Sequence, residues 1–193
     1  MDEPLGEPPG ESREHNQWMA TGKIKQQTND LKSMKIRFEN KNDVSQIRNI
    51  NETSFPSASE ADLVDRLRAD GDAVYSLVAV VDGALVGHVM FSKMAAPFRA
   101  LGLAPVAVLP EHRGRGIAAA LIEAGKGLAR TDGWQGIFVL GDTAYYQRFG
   151  FDTDLARGFE SPYAGEHFMA LSLVGLRLPR SDGKVDYAPA FSA

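Results

Sequence analysis

The segment LAPVAVLPEHRGRGIAAA, Leu103 to Ala120, constrains the fold more than any other stretch of the 193-residue chain. An apolar run reaches Pro110, a turn carries Gly114 and Gly116, and an alanine-rich run begins at once. The order reads as strand, glycine turn, helix. A helix N-terminus presents backbone N–H groups at the positive end of its dipole, and glycines let an anion approach the main chain without meeting a Cβ. Arg113 and Arg115 add positive charge beside that turn. The pattern suits a phosphate group. For a lone glycine pair a plain tight turn would be the better reading, but here strand, turn and helix agree.

Two familiar phosphate motifs fail on these residues. A P-loop needs Lys and then Ser or Thr after its second glycine, whereas Gly116 is followed by Ile117, and Gly125-Lys126-Gly127 lacks both the spacing and the hydroxyl. A dinucleotide fingerprint drawn from Gly114, Gly116 and Ala119 should open a compact βαβ unit. Antiparallel hairpins precede it instead.

The remaining elements follow from periodicity. Met34, Ile36 and Phe38 alternate with Lys35, Arg37 and Glu39, the period of a half-buried strand. Asp43 is placed to cap a helix carrying Val44, Ile47 and Ile50, which ends near Phe55-Pro56. Ser57 to Glu60 reads as a capping box for a second helix with Leu63, Val64 and Leu67 inward. Asp82-Gly83 between apolar runs predicts a hairpin over Val74–Val81 and Ala84–Met94. Strands are expected over Leu101–Leu109, Gly136–Leu140 and about Phe168–Val174, with helices over Arg115–Arg130 and Thr143–Phe149. The predicted class is α/β, an α+β mixed sheet in the order β-α-α-β-β-β-α-β-α-β.

Composition narrows the chemistry. The chain has no cysteine, which excludes disulfides, Cys-based metal sites and any group carried on a thiolate, and no metal site is expected. A formal net charge of -4 gives no basic footprint for nucleic acid. No apolar run approaches the roughly 18 residues of a membrane span, and no signal-peptide pattern opens the chain. These features predict a soluble, cytoplasmic protein. Residues 1–33 crowd acids with Pro4, Pro8 and Pro9 and are expected to form a flexible acidic and polar leader. Residues 34–193 are expected to form one domain.

Arg113-Gly114-Arg115-Gly116-Ile117-Ala118 resembles the Q/R-x-x-G-x-G/A motif of the GNAT superfamily of acyl-CoA-dependent N-acyltransferases. The preceding V-A-V-L-P and the later A-Y-Y-Q-R-F-G-F resemble that family's fourth strand and final motif, and the element order resembles its fold over about residues 34–175. The likeness extends to a bacterial subgroup of predicted N-acetyltransferases. It implies acetyl-CoA as co-substrate and a small-molecule or peptide amine as acceptor, with a homodimer plausible.

The resemblance also implies roles for particular residues. Val106, Ala107 and Val108 would lie along the thioester, where a backbone N–H stabilises an oxyanion. The pyrophosphate would sit on the amides of Arg113, Gly114, Arg115, Gly116, Ile117 and Ala118. Pro105, having no N–H, suits a strand that splays to admit a cofactor, or a simple bulge. Tyr146 is the implied acid for the departing thiolate, with Tyr145 the near miss. Adjacent helical residues point about 100° apart, so one of the two should face the sulfur. Packing of an aromatic face on the sheet is the competing explanation for either ring. For the general base the sequence leaves His88, Asp142 and water open, a hydrogen-bonded structural role in its strand being the alternative for His88. The family's usual asparagine before the final helix is replaced by Gly141. Glu52 and Phe55, at the end of the first helix, either line an acceptor pocket or are ordinary surface and staple residues.

Three classes of function compete. Acetyl transfer by direct attack in a ternary complex leads, a non-catalytic acyl-CoA-binding sensor or interaction module is the alternative, and a nicotinamide-dependent enzyme using the same glycines is third.

Overall fold

Alternation over Met34–Phe38 produces β1 (Lys35–Phe38), which pairs antiparallel with β2 (Ala73–Val81). The computed structural model of the chain describes residues 34–192, so the expected leader lies outside the described residues. Asp82 and Gly83 have φ of 51° and 85°, as a two-residue hairpin turn requires, and deliver the chain into β3 (Ala84–Ala95). β4 (Ala100–Val108) pairs antiparallel with β3, β5 (Gly136–Leu140) parallel with β4, and β7 (Phe168–Ser172) antiparallel with β5. The result is the expected mixed α/β sheet, mostly antiparallel, in the order β1-β2-β3-β4-β5-β7.

Helices cover both faces. The period of two sends Val78 and Met90 toward α1 (Val44–Ser54) and α2 (Ser59–Ala69), where they join Ile47 and Leu67. Leu77, Val89 and Phe91 point the other way and pack with Leu121 and Ile122 of α3 (Ile117–Thr131). Two short helices, α4 (Thr143–Gln147) and α5 (Thr153–Ala156), follow β5.

The structure adds short elements that the periodicity does not predict. β6 (Phe159–Glu160) pairs with β8 (Gly183–Lys184), and β9 (Asp186–Tyr187) pairs with Met94 and Ala95 at the end of β3. The C-terminal segment thus returns to the main sheet. There Tyr187 packs against Tyr163 and Phe191 at ring-centroid distances of 5.2 and 4.6 Å.

Two predicted helix starts differ. Asp43 makes no side-chain cap; its carboxylate accepts from Arg37 and from the Asn40 N–H, tying α1 to β1. The Ser57–Glu60 capping box does not form either. α2 begins at Ser59 without a side-chain cap, and Ser57 Oγ instead pairs with Ser59. At Asp43 a guanidinium takes the oxygen that the local pattern assigns to the helix, and at Ser57 the neighbouring Ser59 takes it.

β4 and β5 part company early. They pair only over Ala100–Gly102 with Gly136–Phe138, although β4 runs on to Val108 and β5 to Leu140. On its other edge β4 is bulged against β3 between Leu103 and Val106, so Ala104 and Pro105 occupy the irregular step. Both features expected of Pro105, a bulge and a splayed strand, occur together.

Candidate functional site

A cleft of about 720 Å³ opens where β4 leaves β5. Its walls include Val106, Val108, Arg113, Gly114, Gly116, Ile117 and Ala118 from the predicted set, together with Tyr146. Ala107 and Arg115 are not among the lining residues. The ladder explains Ala107. Leu109 N–H donates to Val86 O at 3.0 Å, so alternation makes Ala107 and His88 the next hydrogen-bonded pair, and the backbone of Ala107 is spent on β3. The backbone groups of Val106 and Val108 therefore face away from β3, toward the splay. Val108 O shows this directly, accepting from Ser54 Oγ at 3.2 Å and Arg113 Nε at 3.1 Å.

The glycine turn forms as the residues dictate. Gly114 and Gly116 have φ of 74° and 78°, left-handed values that a side chain would strain. Gly116 is the N-cap of α3 without a side-chain cap, and the first helical bond is Ala120 N–H to Gly116 O at 3.0 Å. The amides of Ile117, Ala118 and Ala119 thus have no acceptor within the helix and stand at its positive end. Arg113 differs from the sequence expectation. Its amide donates to Pro110 O at 3.2 Å and is not open to a ligand, while its guanidinium bonds Val108 O and Ser54 O at 3.1 Å each, clipping the end of α1 to β4.

Tyr146 reaches the cleft because of local capping. Asp142 Oδ1 accepts the Tyr145 N–H at 3.1 Å and starts α4 immediately after β5. Burial, with Tyr145 beside it, pushes the Tyr146 phenol up to about 12. The group stays protonated near neutrality and is a proton donor there. Tyr145 also lines the cleft, its ring 5.1 Å from that of Tyr146 and covered by the Arg148 guanidinium at 4.5 Å. Both tyrosines therefore face the cleft, where the helical geometry led one to expect a single ring.

A second cavity of about 280 Å³ adjoins the first, and the two share Phe55, Val106 and Tyr146. Its wall is apolar and aromatic, with Glu60 the single charged residue lining it among the described residues. Glu60 Oε2 and Tyr187 Oη are buried without hydrogen-bond partners among the described residues. Phe55 occupies the predicted place, whereas Glu52 pairs with Arg48 at 2.8 Å and lines neither cavity. Sequence reasoning missed Glu60 as a wall residue by assigning it to a cap, and missed Tyr187 because only the folded C-terminal return brings it near β4. His112, whose buried Nδ1 lacks a partner, also lines the cleft.

His88, one of the candidate bases, takes the structural role that is its alternative. It is fully buried and lines neither cavity. Asn51 Nδ2 lies 3.3 Å from its Nδ1 and Ser76 Oγ 2.9 Å from its Nε2, and Ser76 in turn donates to Glu39 at 2.5 Å. Arg68 completes the chain with two bonds to Glu39. Burial lowers the His88 imidazole to about 4, against a smaller opposing pull from Glu39. A neutral ring whose two nitrogens are both engaged has no lone pair to offer a substrate. Lys126, beside the failed P-loop spacing, is likewise structural: buried on α3, it bonds Phe149 O at 2.8 Å and Glu123 at 2.7 Å.

Comparison with known proteins gives the same picture. Residues 44–151 match the family model described as the acetyltransferase (GNAT) family. The chain is 38% identical over 137 residues to the uncharacterized N-acetyltransferase YjhQ of Escherichia coli K12, covering 66% of this chain and 75% of the relative. Among solved structures, the GNAT family N-acetyltransferase YhbS of Escherichia coli in complex with CoA is similar, with a TM-score of 0.79 and 32% identity over 83% of this chain and 93% of that one. A GNAT family acetyltransferase of Brucella melitensis in complex with acetyl-CoA aligns with a TM-score of 0.69 and 35% identity, covering 82% and 97%.

Proposed function

The chain belongs to the acetyltransferase (GNAT) family, and on that premise we propose that it transfers an acetyl group from acetyl-CoA to a primary amine by direct attack with both substrates bound. The observation that carries this reading is the seam at Val106 and Tyr146, which line both the large cleft and the smaller cavity. A donor in one and an acceptor in the other would meet there.

The residues present fit acetyl-CoA. The uncapped amides of Ile117, Ala118 and Ala119 and the open turn at Gly114 and Gly116 suit a diphosphate, and the outward backbone of Val106 with the Val108 N–H suits an extended amide-bearing arm, Val108 O being taken by Ser54 and Arg113. When bound, acetyl-CoA supplies an activated acetyl group and a thiol leaving group. Val106 N–H, facing the splay, would stabilise negative charge on a carbonyl oxygen. Tyr146 holds a phenolic proton for the leaving sulfur. The absence of cysteine from the chain removes an acyl-cysteine route and favours direct attack.

A thiol-release assay with acetyl-CoA over a panel of amines and peptides tests the proposal. Amine-dependent CoA release is the expected result. Saturable CoA binding with no release across the panel would instead identify a binding module.

A further inference from the structure

Resting on the transferase reading, we propose that the acceptor is a primary amine on a compact apolar body that carries no carboxylate, and that Glu60 receives its ammonium. Four observations converge. Glu60 and Tyr187 line the cavity, and among the described residues Glu60 Oε2 and Tyr187 Oη have no hydrogen-bond partner. Both are oxygens able to accept, and an ammonium offers three donors and no acceptor. Among the described residues Glu60 is the single charged one lining this cavity, so a cation is favoured there and a second carboxylate is repelled. Its volume of about 280 Å³ falls just below the ~300–1,000 Å³ usual for small-molecule sites, which calls for a compact ligand.

The remaining wall defines the body of the acceptor. Phe55, Leu63, Tyr163, Tyr187 and Phe191 present ring and aliphatic surface, and Tyr187 is held by edge and tilted contacts to Tyr163 and Phe191. Aromatic faces also attract a cation electrostatically. An arylalkylamine meets both demands, since its ring replaces water against the wall and its ammonium meets the carboxylate. An amino acid with the same side chain would bring a carboxylate to a wall with no cation.

Glu60 is free for this work because the capping box that its spacing suggests does not form. In the reaction the ammonium gives one proton to Glu60, and the freed lone pair forms the N–C bond to the acetyl carbon. The C–S electron pair leaves on sulfur, which takes the Tyr146 proton. The second nitrogen proton restores Tyr146, and Glu60 sheds its own to water.

The test compares 2-phenylethylamine with L-phenylalanine, which differ by the carboxylate, alongside spermidine and a short peptide with a free N-terminus. CoA release and acetyl-CoA KM are measured on the wild type and on Glu60→Gln. The proposal expects kcat/KM for 2-phenylethylamine to exceed that for L-phenylalanine by about 100-fold or more. It expects Glu60→Gln to lower kcat/KM for the amine by about 30-fold or more, with acetyl-CoA KM within about twofold of wild type. A merely structural role for Glu60 would not spare acetyl-CoA while penalising the amine. Should Glu60→Gln fold poorly, the wild-type selectivity decides alone. Equal rates with L-phenylalanine, or release with the peptide or spermidine but not with 2-phenylethylamine, overturn the proposal and leave the transferase reading standing. No release with any amine overturns both.

Discussion

Gly141 makes room for the Tyr146 ring: a Cβ at Gly141 would stand 2.6 Å from Tyr146 Cε2, inside any tolerable contact. The glycine that replaces the family's usual asparagine is therefore not an empty position. It lets β5 hand over to α4 with the Tyr146 ring against the backbone, and so sets the place of the phenol at the seam between the cavities.

Gly141→Ala is predicted to displace that ring. Overpacking of this kind costs about 1–3 kcal/mol of stability, and a misplacement of about 1 Å at a reacting group lowers turnover by up to ~100-fold. Urea unfolding and steady-state kinetics on the same preparation check both numbers. CoA affinity should stay near wild type, because the turn at Gly114 and Gly116 is untouched.

Arg113→Ala should loosen the junction of α1, β4 and the glycine turn, since it removes the bonds to Val108 O and Ser54 O. The expected loss is about 1 kcal/mol, discounted because Arg113 is exposed. Arg113→Lys should fail to restore it, as a single ammonium lacks the guanidinium fork that spans two acceptors. Denaturant midpoints of the three proteins decide the matter.

His88 predicts a pH dependence of stability. The unfolded imidazole takes a proton near its ordinary value of 6.5, whereas the folded one resists until about 4. The unfolded state therefore binds more protons in that window, so stability is full above pH 6.5 and falls as the pH drops toward 4. At about 1.36 kcal/mol per unit the loss reaches roughly 3 kcal/mol. For Glu39 burial works upward, but the bonds from Arg68 and Ser76 outweigh it and hold the carboxyl below its ordinary range, which extends the loss at the acid end. Urea midpoints at pH 7 and pH 4.5 measure the effect, and His88→Gln should flatten it.

The elements that proved legible carry their signal locally. Asp82-Gly83, the strand Gly136–Leu140 and the turn from Arg113 to Ile117 are each fixed by neighbours a few residues away, and each stands where the pattern places it. Ala107 was not separable from Val106 and Val108 in the sequence, because which backbone faces the splay depends on the register with His88. Glu60 looked like a cap for the same reason that Asp43 did: local spacing cannot show that a helix starts two residues later or that Arg37 competes for the oxygen. Tyr187 needs the pairing of β9 with β3, some ninety residues distant in the chain, before it has any place in a site.

The most direct test of the seam is Tyr146→Phe, with kcat measured by CoA release and acetyl-CoA affinity by calorimetry. General acid catalysis contributes about 100-fold or more, so kcat should fall by at least that factor while the dissociation constant changes by less than about twofold. An unchanged kcat would contradict the account, since the phenol at the seam of the two cavities would then take no part in the transfer.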